Sequence, residues 1–220
     1  MSIKIYGASI SPYVRKVRMA LAVRELDYEL IPVIPGGEDQ PAEFKANSPL
    51  GKIPLAHIDD IFIPDSSVIL AYLERARSQN PLLSEDAKLA AKALWYEEYA
   101  DSQMVSVIAG HLFAEMILAP AFFQRESNQE EIDLAKNEEI PAIFDYLESE
   151  LQANFLIGDS IGHADVCVGS PFVTMHHCGV QCDASRWPKT AAYIERVTGQ
   201  AAFAKIIQEE KEMLAAFGVQ

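Results

Sequence analysis

The sequence predicts a small mixed α/β unit of order βαβαββα followed by an all-helical unit, and three observations carry that prediction. Strand-like patterns occur only in the stretch before Pro64. Helical spacing of apolar residues begins at Ser11, where Val14, Val17 and Leu21 share one face. A breaker, Ser78-Gln79-Asn80-Pro81, then closes the mixed region, and only helical signals follow it.

Ile3 and Ile5 alternate with polar neighbours as a short strand does. Pro12 stands in the first turn of the helix that Ser11 opens, where a missing N–H is harmless. Tyr28 to Ile34 reads as a second strand ended by Pro35-Gly36-Gly37, and a short helix covers Pro41 to Ala46. Leu55–Ile58 and Ile61–Ile63 form a hairpin around Asp59-Asp60. Ile69, Tyr72, Leu73 and Ala76 mark one face of a helix that starts at Asp65 or Ser66. The first domain is accordingly placed at residues 1–80 and the helical one at 86–220, with Leu82 to Asp86 as linker. In the second domain, Ser84 or Asp86 caps a long helix stopped by Pro120. Another helix spans Gln129 to Ala153, with Pro141 kinking it or resetting its first turn. Helices near Ala164–His177, Pro188–Val197 and Ala201–Phe217 complete it.

Charge narrows the function classes. The net charge is −14, and residues 84–220 carry −13 of it. A nucleic acid or an anionic membrane surface needs an excess of basic residues, so neither is an expected partner. Cys167, Cys178 and Cys182 are too few and too clustered for a disulfide framework, which fits a reducing cytoplasm. The N-terminus lacks the continuous apolar run of a signal peptide. The apolar stretch Met104 to Phe123 is interrupted by His111, Glu115 and Pro120 and reads as a buried helix, not a membrane span.

The chemistry concentrates in Asn47-Ser48-Pro49-Leu50-Gly51-Lys52-Ile53-Pro54 and in Asp65-Ser66. Pro54 beside a turn and a strand suggests a peptide bond fixed by a tight turn, in trans or in cis, that leaves the backbone of Ile53 facing outward. Asp65-Ser66 opens a helix whose N–H groups and hydroxyl can hold a carboxylate. Together they suit an extended peptide with an anionic end.

With Ser11-Pro12-Tyr13, Arg15-Lys16-Val17-Arg18, Tyr72-Leu73-Glu74-Arg75, Phe155 to Asp159, Ala164-Asp165 and Trp187-Pro188, this layout resembles the glutathione transferase superfamily over essentially the whole chain. The resemblance implies a thioredoxin-like first domain and a helical second domain. It implies that Ser11 hydrogen-bonds the sulfur of glutathione, as in the serine-type classes, since a thiolate is the nucleophile and a thiol is not. Ile53 would pair with the cysteinyl backbone, Pro54 would hold that edge in cis, and Lys52 would meet the glycyl carboxylate. Asp65 and Ser66 would bind the γ-glutamyl end, where the family more often has Glu or Gln as the acid. The helical domain would wall a pocket for a hydrophobic electrophile, with Tyr13, Tyr99, His111 and Phe113 as candidates. The protein would be a cytoplasmic homodimer in detoxification, with glutathione as co-substrate and no metal. A glutathione-dependent isomerase, peroxidase or dehalogenase, or a non-catalytic interaction protein, is the alternative on the same scaffold.

Rival readings concern single residues. Ser9 competes with Ser11, which is favoured by its place at the helix N-cap. At least two of Arg15, Lys16 and Arg18 are expected on a solvated face. Gly162 stands where the family has a capping Ser or Thr, a change worth only tenths of a kcal/mol. His176-His177-Cys178 with Cys182 lacks the two spaced pairs of a zinc site and reads as a helix end. Ser11, His57 and Asp59 lack the glycines of a nucleophile elbow, and Pro35-Gly36-Gly37 lacks the Lys-Ser/Thr of a phosphate loop.

Overall fold

The computed structural model describes residues 2–76 and 79–219, so Ser78 of the breaker lies outside the described residues. The chain divides into two compact units, Met1–Leu83 and Ser84–Gln220.

The first unit runs β1 (Lys4–Tyr6), α1 (Pro12–Val23), β2 (Glu29–Ile31), α2 (Ala42–Asn47), β3 (Leu55–Ile58), β4 (Ile61–Pro64) and α3 (Ser66–Ala76). The four strands lie in the order β2-β1-β3-β4, with β1 and β2 parallel and β3 antiparallel to both its neighbours. This is the expected βαβαββα order, although β2 is shorter than Tyr28–Ile34. One core cluster joins Tyr6, Val33, Phe44 and Leu55, with Ile31, Ile53 and Phe62 packed against it. Val14, Val17, Leu21, Ile69 and Leu73 are buried where α1 packs on α3. The hairpin turns through Asp59 (φ 51°) and Asp60 (φ 67°), two consecutive left-handed residues, which matches the twist of the flanking strands.

Glu74 explains the Tyr72-Leu73-Glu74-Arg75 motif. It pairs with the buried Arg24 at the end of α1 and accepts the Leu82 N–H at 2.9 Å. One carboxylate thus fixes both α1 and the chain that leaves α3.

In the second unit, α4 (Ala87–Tyr99) is capped by Asp86, whose Oδ1 accepts from Lys88 N at 2.8 Å and Leu89 N at 3.1 Å. The helix then widens into π-helical turns at Ala100–Met104 and Ser106–Leu118 and continues through α5 (Ala119–Ala121). The helix therefore ends at Ala121, one residue past the stop expected at Pro120. The proline takes a first-turn position of α5, immediately after the wide turns, where its missing N–H breaks no bond. The same device recurs at Pro141. Helix α6 (Gln129–Leu134) passes through π-helical Ala135–Glu139 into α7 (Ile140–Glu150), which holds Pro141 in its first turn. This is the reset expected of Pro141. The continuous helix Ala87–Ala121 is long and apolar enough to cross a membrane, but half of its most apolar window is buried in the protein, as in any core helix.

Helix α8 (His163–His177) is buried on nearly every side and packs on α4 and α9 (Pro188–Thr198). Asp165 accepts Gly162 N at 2.9 Å and Leu156 N at 3.0 Å, which ties the Phe155–Asp159 loop to the helix start. Burial of this carboxyl group pushes its pKa up to about 6 against those N–H bonds. Trp187 Nε1 donates to Asp145 Oδ1 at 2.6 Å, joining the start of α9 to α7. Helix α10 (Ala204–Ala216) follows a short 3₁₀ turn at Ala201–Phe203.

Candidate functional site

Strand register decides what one end of the sheet presents. Tyr6 stands opposite Leu55, and Leu55 stands opposite Pro64. One row of residues thus crosses three strands. The chain leaves that row at Gly7, arrives at it from Pro54, and leaves it again at Asp65. The loop leading to Ser11, the Ile53–Pro54 peptide and the start of α3 therefore share one end of the sheet.

Two contacts tighten this grouping. A Cβ on Gly7 would fall 2.4 Å from Val14 Cγ2 and 3.4 Å from Ile53 Cβ, so only glycine lets the first turn of α1 and Ile53 close on the strand end. Lys16 Nζ, on α1, donates to Ser67 Oγ in the first turn of α3 at 3.1 Å.

Ser11 is the N-cap of α1, with its Oγ accepting from Val14 N at 3.5 Å. A hydroxyl that accepts one bond keeps its own proton to donate. Ser11 can therefore offer O–H to an anion at the positive end of a helix. Ser9 sits in the turn before the cap. Tyr6 is not a second acid here. Burial, together with its hydrogen bond to Glu43, pushes its pKa up to about 12, so the phenol stays a donor to that carboxylate.

The Ile53–Pro54 peptide is cis, as the resemblance implied. Ile53 stands just before the ladder, which begins at Leu55. Lys52 is exposed. Asp65 has φ +82°, a left-handed conformation that strains a non-glycine residue by about 1–3 kcal/mol. Its Oδ1 accepts from Ser67 N at 2.9 Å and Val68 N at 3.2 Å, so the strained residue caps α3. The other oxygen of this exposed carboxylate has no protein partner among the described residues and is available to a cation. Ser66 is buried beside it at the helix start.

The expectation of a solvated face for at least two of Arg15, Lys16 and Arg18 is wrong. All three are at most 2 % exposed. Each has a polar partner that makes burial tolerable. Arg15 Nη2 donates to Ile10 O at 3.2 Å, Lys16 to Ser67, and Arg18 Nε to Tyr28 OH at 2.7 Å.

The candidates for a second-substrate pocket come from both units. Tyr13 is half-buried in the first turn of α1. In the helical unit Tyr99 packs its ring on Tyr146 at 4.7 Å, and His111 Nδ1 lies 2.7 Å from Glu139 Oε2. Phe113 is buried in the core at 4 % exposure.

Among the described residues, His176, His177, Cys178 and Cys182 do not converge as a ligand group. His177 instead bonds Glu210 at 2.8 Å, and burial pushes the Cys178 and Cys182 thiols up to about 12. Sequence reasoning missed the group that does converge, Glu97, His163 and Cys167. The signal available for it was the four-residue spacing of His163 and Cys167. It also missed the link from Lys16 to Ser67, which no local pattern encodes.

Comparison with known proteins gives the same two-part division. Residues 5–81 match the family described as glutathione S-transferase, N-terminal domain, and residues 112–201 match glutathione S-transferase, C-terminal domain. Glutathione S-transferase 4 of Zea mays is 31 % identical over 180 residues, covering 80 % of this chain and 77 % of that protein. A maleylacetoacetate isomerase of Rattus norvegicus is 28 % identical over 182 residues, covering 74 % of this chain and 79 % of that one. The crystal structure of glutathione transferase F7 from Populus trichocarpa superposes with a TM-score of 0.80 over 94 % of this chain and 98 % of that chain. At 24 % identity it speaks for the fold.

Proposed function

Because the chain belongs to the glutathione S-transferase family, we propose that its sheet-end site binds glutathione and that Ser11 activates the thiol for attack on an electrophilic small molecule. The observation that carries this reading is the common row Tyr6–Leu55–Pro64, which gathers Ser11, Ile53 and Asp65-Ser66. The protein is read as a cytoplasmic homodimer acting in detoxification. Leu89, Leu94 and Trp95, all exposed on α4, supply apolar surface for a second copy.

Each residue has a distinct task. Ile53 offers backbone groups outside the ladder, to which the cysteinyl backbone adds like a short strand. The unused oxygen of Asp65 takes the γ-glutamyl ammonium. The Ser66 hydroxyl and the first N–H groups of α3 take the neighbouring carboxylate. Exposed Lys52 faces the glycyl carboxylate. The Ser11 O–H then points at sulfur.

A hydroxyl donor and a helix N-terminus both favour the anion, so the thiol loses its proton to solvent at lower pH than in water. The sulfur lone pair forms the new S–C bond. The displaced electron pair departs with a leaving group or is quenched by a proton from water. Holding both reactants side by side supplies much of the acceleration.

The test is the ultraviolet absorbance of enzyme-bound glutathione thiolate, titrated with pH. Wild type should show a thiolate with a depressed pKa that Ser11→Ala abolishes. A thiolate unaffected by that change, or carried by Ser9 instead, overturns the assignment.

The similarity to a maleylacetoacetate isomerase favours one second reading. In it the same thiolate adds to a carbon–carbon double bond, rotation follows, and sulfur leaves again. Glutathione is then not consumed. Measuring glutathione loss per turnover separates conjugation from isomerisation.

A further inference from the structure

We propose that Glu97, His163 and Cys167 form a binding site for one zinc-class divalent cation inside the helical unit. His163 and Cys167 are four residues apart on α8, a spacing that puts both side chains on one helix face. Glu97 comes from α4, which packs against α8. One ligand atom from each of the three lies within 4.8 Å of the other two, and His163 Nε2 is 2.7 Å from Glu97 Oε2. A tetrahedral zinc ion, with bonds of about 2.0–2.3 Å, holds its ligands about 3.3–3.6 Å apart. The trio therefore needs to open by only a fraction of an ångström on the His–Glu side.

The donor set and the charges agree with such an ion. Imidazole, thiolate and carboxylate together suit zinc or cobalt, whereas magnesium and calcium take oxygen alone. Glu97 is 6 % exposed, His163 2 % and Cys167 0 %. In so dry a place an isolated charge is costly, but a carboxylate and a thiolate offset a dication in full. Binding converts the Cys167 thiol to thiolate, its proton going to solvent, and the imidazole contributes a lone pair.

His163 meets Glu97 through Nε2, the nitrogen that would take the ion, and its Nδ1, on the other side of the ring, is buried without a hydrogen-bond partner among the described residues. Asp165, on the same helix, is not part of the ligand set. Both its oxygens are committed to Leu156 N and Gly162 N. The ion would join α4 to α8 at the centre of the unit, remote in chain position from every residue proposed to handle glutathione.

Expression of the intact chain in minimal medium supplied with cobalt tests this directly. The expected result is one cobalt per chain by elemental analysis, with a near-ultraviolet thiolate-to-cobalt charge-transfer band. That band should vanish in Cys167→Ala and persist in Cys178→Ala and Cys182→Ala. Glu97→Gln, which preserves side-chain volume, should weaken cobalt binding by at least about tenfold. Folded wild-type protein with little cobalt and no band overturns the proposal. So does a band that survives Cys167→Ala or follows Cys178 or Cys182. If Cys167→Ala does not fold, Glu97→Gln decides, and unchanged affinity there also overturns the site.

Discussion

Arg24 and Glu74, fifty residues apart in sequence, form an ion pair in which the arginine side chain is 1 % exposed and the glutamate 12 %. Arg24 also donates to Leu73 O at 2.9 Å, so the guanidinium is held by the same helix twice. Glu74→Ala removes the charge partner and the acceptor for Leu82 N together. The expected loss is about 3–5 kcal/mol of stability, the usual consequence of leaving a buried charge alone. Urea denaturation of the variant measures it.

Ser11 both caps α1 and is proposed to meet sulfur, and the two roles separate by substitution. Glycine replaces a capping serine at a loss of only tenths of a kcal/mol, whereas alanine loses about 1 kcal/mol. Ser11→Gly should keep a near-native melting temperature while turnover with glutathione falls by about 10²–10³, as when a transition-state donor is removed. Thermal melts and steady-state kinetics on one preparation check both halves.

Asp65→Asn offers a similar separation. Asparagine tolerates the left-handed conformation and keeps the oxygen that caps α3, so stability should change little. The negative charge proposed to meet the γ-glutamyl ammonium is lost. A charge-assisted hydrogen bond is worth about 1.5–3 kcal/mol, so the Kd for glutathione should rise about 10- to 100-fold. Isothermal titration with glutathione reports the change.

Glu115 gives the helical unit an acid-sensitive tie. Hydrogen bonds from Arg125 at 2.7 Å, and from Asn128 N, hold its pKa at about 2, below the ordinary 4.5. A depressed carboxylate binds fewer protons folded than unfolded, so its contribution is complete above about pH 4.5. It is lost as pH falls through that value toward about 2. Glu115→Gln should flatten this part of the stability profile, measured by guanidinium unfolding across the acid range.

Much of the first unit was legible in the sequence because its signals are local. Strand alternation, Pro12 in a first turn and the Asp59-Asp60 turn each act within a few residues. The cis Ile53–Pro54 peptide was legible because proline and its neighbours narrow the choices there. What was not legible depends on the far side of each helix. Arg15, Lys16 and Arg18 read as charge, yet tertiary partners bury all three. The π-helical turns before Pro120 and Pro141 follow from how the ladder absorbs a missing donor, which helical periodicity does not reveal. Glu97 and His163 meet across sixty-six residues, and no pattern in either segment announces the other.

The row Tyr6–Leu55–Pro64 divides the first unit into a fixed margin and an editable one. At the opposite end of the same strands lies the Asp59-Asp60 turn, which carries none of the proposed glutathione contacts. An engineer could lengthen that turn, or graft a tag or a reporter peptide into it, while every proposed recognition group keeps its alignment. A single residue inserted between Pro54 and Leu55 would instead shift the arriving strand by one position and turn its core side chains outward.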